Sequence, residues 1–114
     1  MPTVTVIIPV FDEEQNVSVL YDDLSKYLSE KDELIFVDDG SRDNTFLEIQ
    51  KLTSSDRKVK CISFSRNFGH QNAIMAGLQF SKGDYTITMD GDLQHPPFLL
   101  QQCLKNLSRA LILF

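Results

Sequence analysis

The sequence predicts an α/β fold in which a mostly parallel sheet carries helices on both faces. Three observations lead there. Short apolar runs alternate with stretches whose apolar residues recur at helical spacing, in the order β-α-β-α-β-α-β-α. The apolar runs are β-branched and nearly continuous, the pattern of strands covered on both faces. Polar loops, most of them acidic or rich in amides, follow those runs, at the strand ends where open α/β sheets bind ligands.

Each element has its own signal. Residues 3–10, TVTVIIPV, form the first apolar run, and the polar FDEEQN follows. Val17, Leu20, Tyr21, Leu24, Tyr27 and Leu28 then recur at helical spacing with charges between them. Residues 34–37 make a second strand that runs into Asp38, Asp39 and a Gly40 turn. Thr45 with Glu48 three residues later reads as a capping box for a helix whose inner side is Phe46, Ile49 and Leu52. Residues 59–64 give a third strand. The chain turns at Gly69 and is helical to about Phe80, with small Ala76 and Gly77 suited to close packing on the sheet. Residues 85–89 are a fourth strand. Pro96 and Pro97 then open a last helix with Leu100, Cys103, Leu104 and Leu107 inside. Residues 110–114 look like the beginning of another strand.

Bulk properties narrow the function classes. With 114 residues a single domain is expected, and such a chain buries roughly 65% of its unfolded surface. The net charge of −5 lacks the basic face of a nucleic-acid binder. The two cysteines, Cys61 and Cys103, are far apart and sit in apolar patterns, so core packing in a reduced, cytoplasmic setting fits them. No apolar run reaches the roughly 18 residues of a membrane span.

The loops after the strands should gather on one rim: residues 11–15, 38–43, 65–71 and 90–95. The rim has neither GxGxxG nor GxxxxGK[ST], so no glycine cradle awaits a phosphate. Carboxylates alone would repel one. A divalent cation, Mg²⁺ or Mn²⁺, resolves the conflict because it binds carboxylates and phosphate oxygens together. Asp90 and Asp92 are two apart on an extended segment, so both can point at one ion, and Gly91 between them lets the backbone turn. Asp38 and Asp39 are adjacent and should face opposite sides: one to accept a hydrogen bond from a nucleotide, the other to brace the Gly40 turn or cap the next helix, unless both are simply turn acids. Glu13 is either a ligand group or an acid favoured at a helix N-terminus. Phe11 either stacks on a base or plugs the core. Arg66 either pairs a phosphate or is a solvated turn cation, Asn67 and Gln71 offer amide donors to a sugar or phosphate, and His70 and His95 can bond locally.

Four segments, VIIPVFDEEQN, VDDGSRDNT, SRNFGHQNAIMAGL and MDGDLQHPP, stand in the order and spacing of the family 2 glycosyltransferases, which have the GT-A fold. The resemblance runs from about Val4 to Leu107. RNFGHQNA with DGDLQHPP resembles the branch that loads a sugar onto a polyprenyl phosphate, similar to dolichol-phosphate mannose synthase and bactoprenol glucosyltransferases. The resemblance implies that Pro9, Phe11, Glu13, Val37 and Asp39, with Asp90 and Gly91, hold the nucleotide of a UDP- or GDP-sugar. It implies that Asp90 and Asp92 are a DxD motif, with Asp92 and Gln94 nearest the metal. The reaction implied is inverting transfer of a hexosyl group at the cytoplasmic face of a membrane. A phosphate acceptor is already anionic and needs positioning more than a base, and no base is assigned here.

The family's chains are usually at least twice this length, so the donor-side half is what this sequence is expected to supply. Turnover by this chain alone is not expected, and uncovered apolar surface would favour self-association. Two other classes remain in view. One is a non-catalytic fragment that binds a nucleotide or a partner. The other is a receiver-like signalling module, which would want an acceptor aspartate after the third strand, where this chain has SFSRNFG.

Overall fold

A computed structural model describes residues 3–89 and 111–113. Within them the chain forms β1 (Val4–Val10), α1 (Val17–Ser25), β2 (Glu33–Asp38), α2 (Thr45–Ser55), β3 (Val59–Ser63), α3 (His70–Phe80), β4 (Tyr85–Thr88) and β5 (Leu111–Leu113). The five strands make one sheet in the order β3-β2-β1-β4-β5, and every pairing is parallel. The α/β expectation therefore holds. The short apolar run near the end of the sequence is a strand that pairs with β4 in the register Thr86↔Leu111 to Thr88↔Leu113.

All seven residues of β1 are buried, which is why its sequence shows no polar alternation. Its even-numbered residues Val4, Val6, Ile8 and Val10 join Leu34, Phe36, Val59 and Ile87 beneath α1 and α2, which contribute Val17, Leu20, Leu24 and Ile49. Ile7 points the other way and packs with Ile35, Val37 and Ala73 of α3. Gly77 of α3 lies so close that a Cβ there would come within 2.5 Å of Ile7 Cγ2. Helices thus cover both faces, as expected. Cys61 is half-buried at the edge of the larger core. The proposed last helix and Cys103 lie outside the described residues.

Two local readings need correction. The first helix ends at Ser25, although Leu28 beyond it stays buried in the same core. Thr45 is not the cap of α2: the N-cap position is Asn44, which makes no side-chain capping bond. Asp43 does that work, accepting the Thr45 N–H at 2.9 Å. The Thr45 hydroxyl donates to the same Asp43 oxygen and accepts the Glu13 N–H of the neighbouring loop at 2.8 Å. A partner 32 residues away in sequence outcompetes the local box.

The topology fixes where a ligand belongs. The chain steps from β1 to β2 to β3 in one direction, then crosses back over the sheet through α3 to β4 on the far side of β1. The strand order reverses between β1 and β4, and open α/β sheets leave a crevice at the carboxyl ends of such a pair.

Candidate functional site at the β1–β4 switch point

Three loops are locked together at this end of the sheet. Asp39 is the residue after β2, and its N–H donates to the Val10 carbonyl at 2.9 Å. Its buried carboxylate reaches the loop before α3: Oδ1 accepts the Phe68 N–H at 2.8 Å and Oδ2 the Gly69 N–H at 3.2 Å. Asp38 turns the opposite way, and its Oδ1 accepts the Ser41 N–H at 3.0 Å, bracing the turn at Gly40. The two adjacent acids thus do different jobs, as their alternation predicts. Gly40 has φ 73°, and a Cβ on it would fall inside the backbone of Arg66 and Asn67. Only glycine permits that approach.

The loop after β1 is clasped by the loop after β2. Asp12 has φ 52°, an uncommon conformation for a residue with a side chain. Its N–H donates to Ser41 Oγ at 2.9 Å, and its Oδ1 accepts the Arg42 N–H at 2.8 Å. Arg42 Nε and Nη2 both donate to Asp12 Oδ2, at 3.3 and 2.8 Å. The hydrogen bonds from the Arg42 guanidinium hold the Asp12 carboxyl below its ordinary range, and Asp12 raises Arg42 in turn. The Arg42 guanidinium also lies 5.3 Å from the centre of the Phe11 ring.

The residues singled out in the sequence fall as follows. Pro9 and Val37 are buried at paired positions of β1 and β2. Phe11 is 36% exposed and belongs to neither core cluster, which removes the reading of it as a core plug. Glu13 is half-buried and shapes the turn into α1: its carboxylate accepts Asn16 Nδ2 at 2.6 Å, and its carbonyl accepts the Asn16 and Val17 N–H groups. Asn67 and Gln71 are exposed around the start of α3. Arg66 lies over the Phe68 ring at 4.6 Å. Asp90, Gly91, Asp92, Gln94 and His95 lie outside the described residues. Met89, which precedes them in sequence, is buried at the end of β4, and its N–H donates to the Ile7 carbonyl at 2.9 Å.

Among the described residues, no group of three or more His, Cys, Asp or Glu side chains could hold a metal ion. The described acids are committed elsewhere: Asp12 to Arg42, Asp38 to Ser41 and Asp39 to the loop before α3. What the rim presents is a partly exposed ring at Phe11, after β1, and at Asp39, after β2, a carboxylate fixed by two backbone donors. Each Asp39 oxygen takes one hydrogen bond and so retains accepting capacity. Arg42 is the rim residue that the sequence did not reveal. Its partners Phe11 and Asp12 are some 30 positions away, and no local pattern signals that pairing.

The profile of glycosyl transferase family 2 matches residues 5–111. The chain belongs to glycosyl transferase family 2. Among its relatives, the Bacillus subtilis glycosyltransferase CsbB is 41% identical over 106 residues, which are 90% of this chain and 32% of CsbB. The undecaprenyl-phosphate 4-deoxy-4-formamido-L-arabinose transferase of Proteus mirabilis is 42% identical over 98 residues, 82% of this chain and 30% of that protein. The chain spans about a third of the length of these curated relatives. Among solved structures, the mannosyltransferase PcManGT from Pyrobaculum calidifontis, in complex with GDP-Man and Mn²⁺, superposes with a TM-score of 0.82. It is 23% identical, and the match covers 95% of this chain and 33% of that one. The fold of this family 2 chain is that of the GT-A glycosyltransferases.

Proposed function

We propose that this chain forms the donor-nucleotide side of a transferase that moves a hexosyl group from a UDP- or GDP-sugar to a polyprenyl phosphate, with inversion. The reading is supported by two neighbours of the β1–β2 ends: Phe11, an exposed ring just after β1, and Asp39, whose N–H is tied to Val10 and whose carboxylate is anchored by two backbone N–H groups. An exposed ring offers a stacking face to a base. The anchored Asp39 carboxylate accepts a ring N–H or a ribose hydroxyl, and Pro9 and Val37 hold the two strand ends in place. Glu13 sets the loop that carries Phe11. Asn67 and Gln71 are free to donate to the sugar or the diphosphate. The relatives support the acceptor class: one of them is an undecaprenyl-phosphate transferase, which suggests work at the cytoplasmic face of a membrane.

A divalent cation, Mg²⁺ or Mn²⁺, would be held by Asp90, Asp92 and Gln94; when bound, it supplies Lewis-acid neutralisation of the diphosphate leaving group. PcManGT, solved with Mn²⁺ and GDP-Man, is a precedent for such an ion in this fold. The remaining demands on the chain are to seat the base, orient the ribose and keep the diphosphate beside the crevice. A phosphate acceptor is anionic at neutral pH, so positioning rather than proton removal is what its attack requires.

Calorimetric titration of the chain with UDP, GDP and their sugars, with and without Mn²⁺, tests this. Metal-dependent binding of one nucleotide series is expected, and it identifies the base. A folded sample that binds none of these ligands under either condition overturns the proposal.

A further inference from the structure

Arg42 has no part in the reading above, yet three separate constraints run through it or its neighbour. Its guanidinium covers the Phe11 ring at 5.3 Å, within the range of a cation–π contact. Its backbone and side chain both grip the Asp12 carboxylate. Ser41, one residue before it, holds the Asp12 N–H. Asp12 keeps a left-handed conformation, φ 52°, that residues with a Cβ seldom adopt. Such a conformation persists only where the surroundings overdetermine it. No demand of the core explains the arrangement, because Phe11 lies outside both core clusters. The strained residue and its clasp serve an aromatic ring that faces outward. The Arg42 side chain is itself 80% exposed, so it is not there to fill space.

We infer that Arg42 is a positioning residue: by clasping Asp12 and lying on Phe11, it presets the ring that receives the nucleobase. This rests on the reading of Phe11 as the base platform. A planar, weakly hydrated guanidinium can stack on a ring and pair with a carboxylate at once, whereas an ammonium does the second but not the first. The ligand affected is the base of a nucleoside diphosphate, and its phosphates are not involved.

The test compares wild type, Arg42→Ala and Arg42→Lys by calorimetry with UDP, GDP and pyrophosphate, all in Mn²⁺. The exchange rate of the Asp12 amide is followed without ligand. Arg42→Ala should weaken the preferred nucleotide about three- to ten-fold, leave pyrophosphate within about two-fold, and speed exchange at Asp12. Arg42→Lys should fall between the two in nucleotide affinity. Equal losses for nucleotide and pyrophosphate would mean that Arg42 acts as a charge near the phosphates, and the inference fails. Faster exchange with unchanged nucleotide affinity makes the clasp merely structural, and unchanged exchange means there is no clasp; either result overturns it. A wild-type chain that binds no nucleotide removes the functional reading and this inference together. Wild-type binding that Arg42→Ala does not alter removes this inference alone.

Discussion

At Gly40 the backbone takes φ 73° while the backbone of Arg66 and Asn67 occupies the space a side chain would need. An alanine there meets two costs at once: the left-handed conformation and a collision with main chain, which cannot rotate away as a side-chain tip can. Gly69 also has positive φ, 102°, but nothing lies within 4 Å of a Cβ built on it. Gly40→Ala should therefore destabilise the chain by about 2–4 kcal/mol, and by more than Gly69→Ala, which carries conformational strain alone. Urea unfolding of both variants measures the difference. Equal losses would show that the two loops do not depend on that close approach. Residue roles of this kind were partly legible in the sequence. The opposite facing of Asp38 and Asp39 follows from strand alternation, and the structure gives them the separate partners Ser41 and Phe68–Gly69. Which partners they take was not legible, because those partners belong to turns whose approach is set by the whole sheet.

Among the elements, α1 and α2 lie side by side on one face, and a polar contact ties them. The Tyr21 hydroxyl of α1 donates to Asp56 Oδ2, just past the end of α2. Asp56 also accepts the Lys58 N–H at 2.9 Å and pairs with Lys58 Nζ at 3.4 Å. The hydrogen bond from Tyr21 chiefly holds the Asp56 carboxyl below its ordinary range, and the same bond pushes the Tyr21 phenol up to about 12. A phenol raised in the folded state stabilises the fold fully below its unfolded value, about 10, and that contribution is lost as pH rises through the folded value. An alkaline absorbance titration should show one phenol ionising near 12. Tyr21→Phe should abolish that step and cost about 1 kcal/mol at neutral pH. A titration that the substitution leaves unchanged rules the tie out. The helix bodies themselves could be read from periodicity, since Val17, Leu20 and Leu24 are all buried at the spacing that marks them. Their ends could not. The apparent capping box at Thr45 and Glu48 is a sound local pattern, but its hydroxyl serves the Glu13 amide across the rim.

For the molecule as a whole, the two ends of the sheet divide the work. The carboxyl ends carry the loops locked together through Asp39 and Arg42, and the amino ends are closed by Glu33 at the start of β2. Its buried carboxylate accepts the Thr5 hydroxyl at 2.6 Å, the Lys82 N–H and Lys60 Nζ, so it joins β1, β2, β3 and the entry to β4. Thr5 completes the junction by accepting the Gly83 N–H at 2.9 Å. Burial alone would raise the Glu33 carboxyl; the bonds from Lys60, Thr5 and Lys82 outweigh it and leave the group below its ordinary range. Asp12 at the rim and Asp56 beside α2 are lowered as well, by Arg42 and by Tyr21. A carboxyl lowered in the fold binds its proton more weakly than the same group in the unfolded chain. It therefore stabilises the fold above its unfolded value, about 4, and the contribution drains away as pH falls through the lower folded value. All three act in the same direction, so unfolding free energy should hold steady from neutral pH to about 5 and fall steeply below about 4. Glu33 is the buried member of the three and should dominate the slope. Glu33→Gln keeps an acceptor oxygen for the Thr5 and Lys82 donors but loses the charge opposite Lys60. It should lower stability at pH 7 by about 1–2 kcal/mol and flatten the acid limb, so that the two curves converge near pH 3. Urea unfolding across that range measures both effects. Parallel curves, offset by the same amount at every pH, would mean that Glu33 does not titrate with folding and that its proton is not what couples the closed end of the sheet to pH.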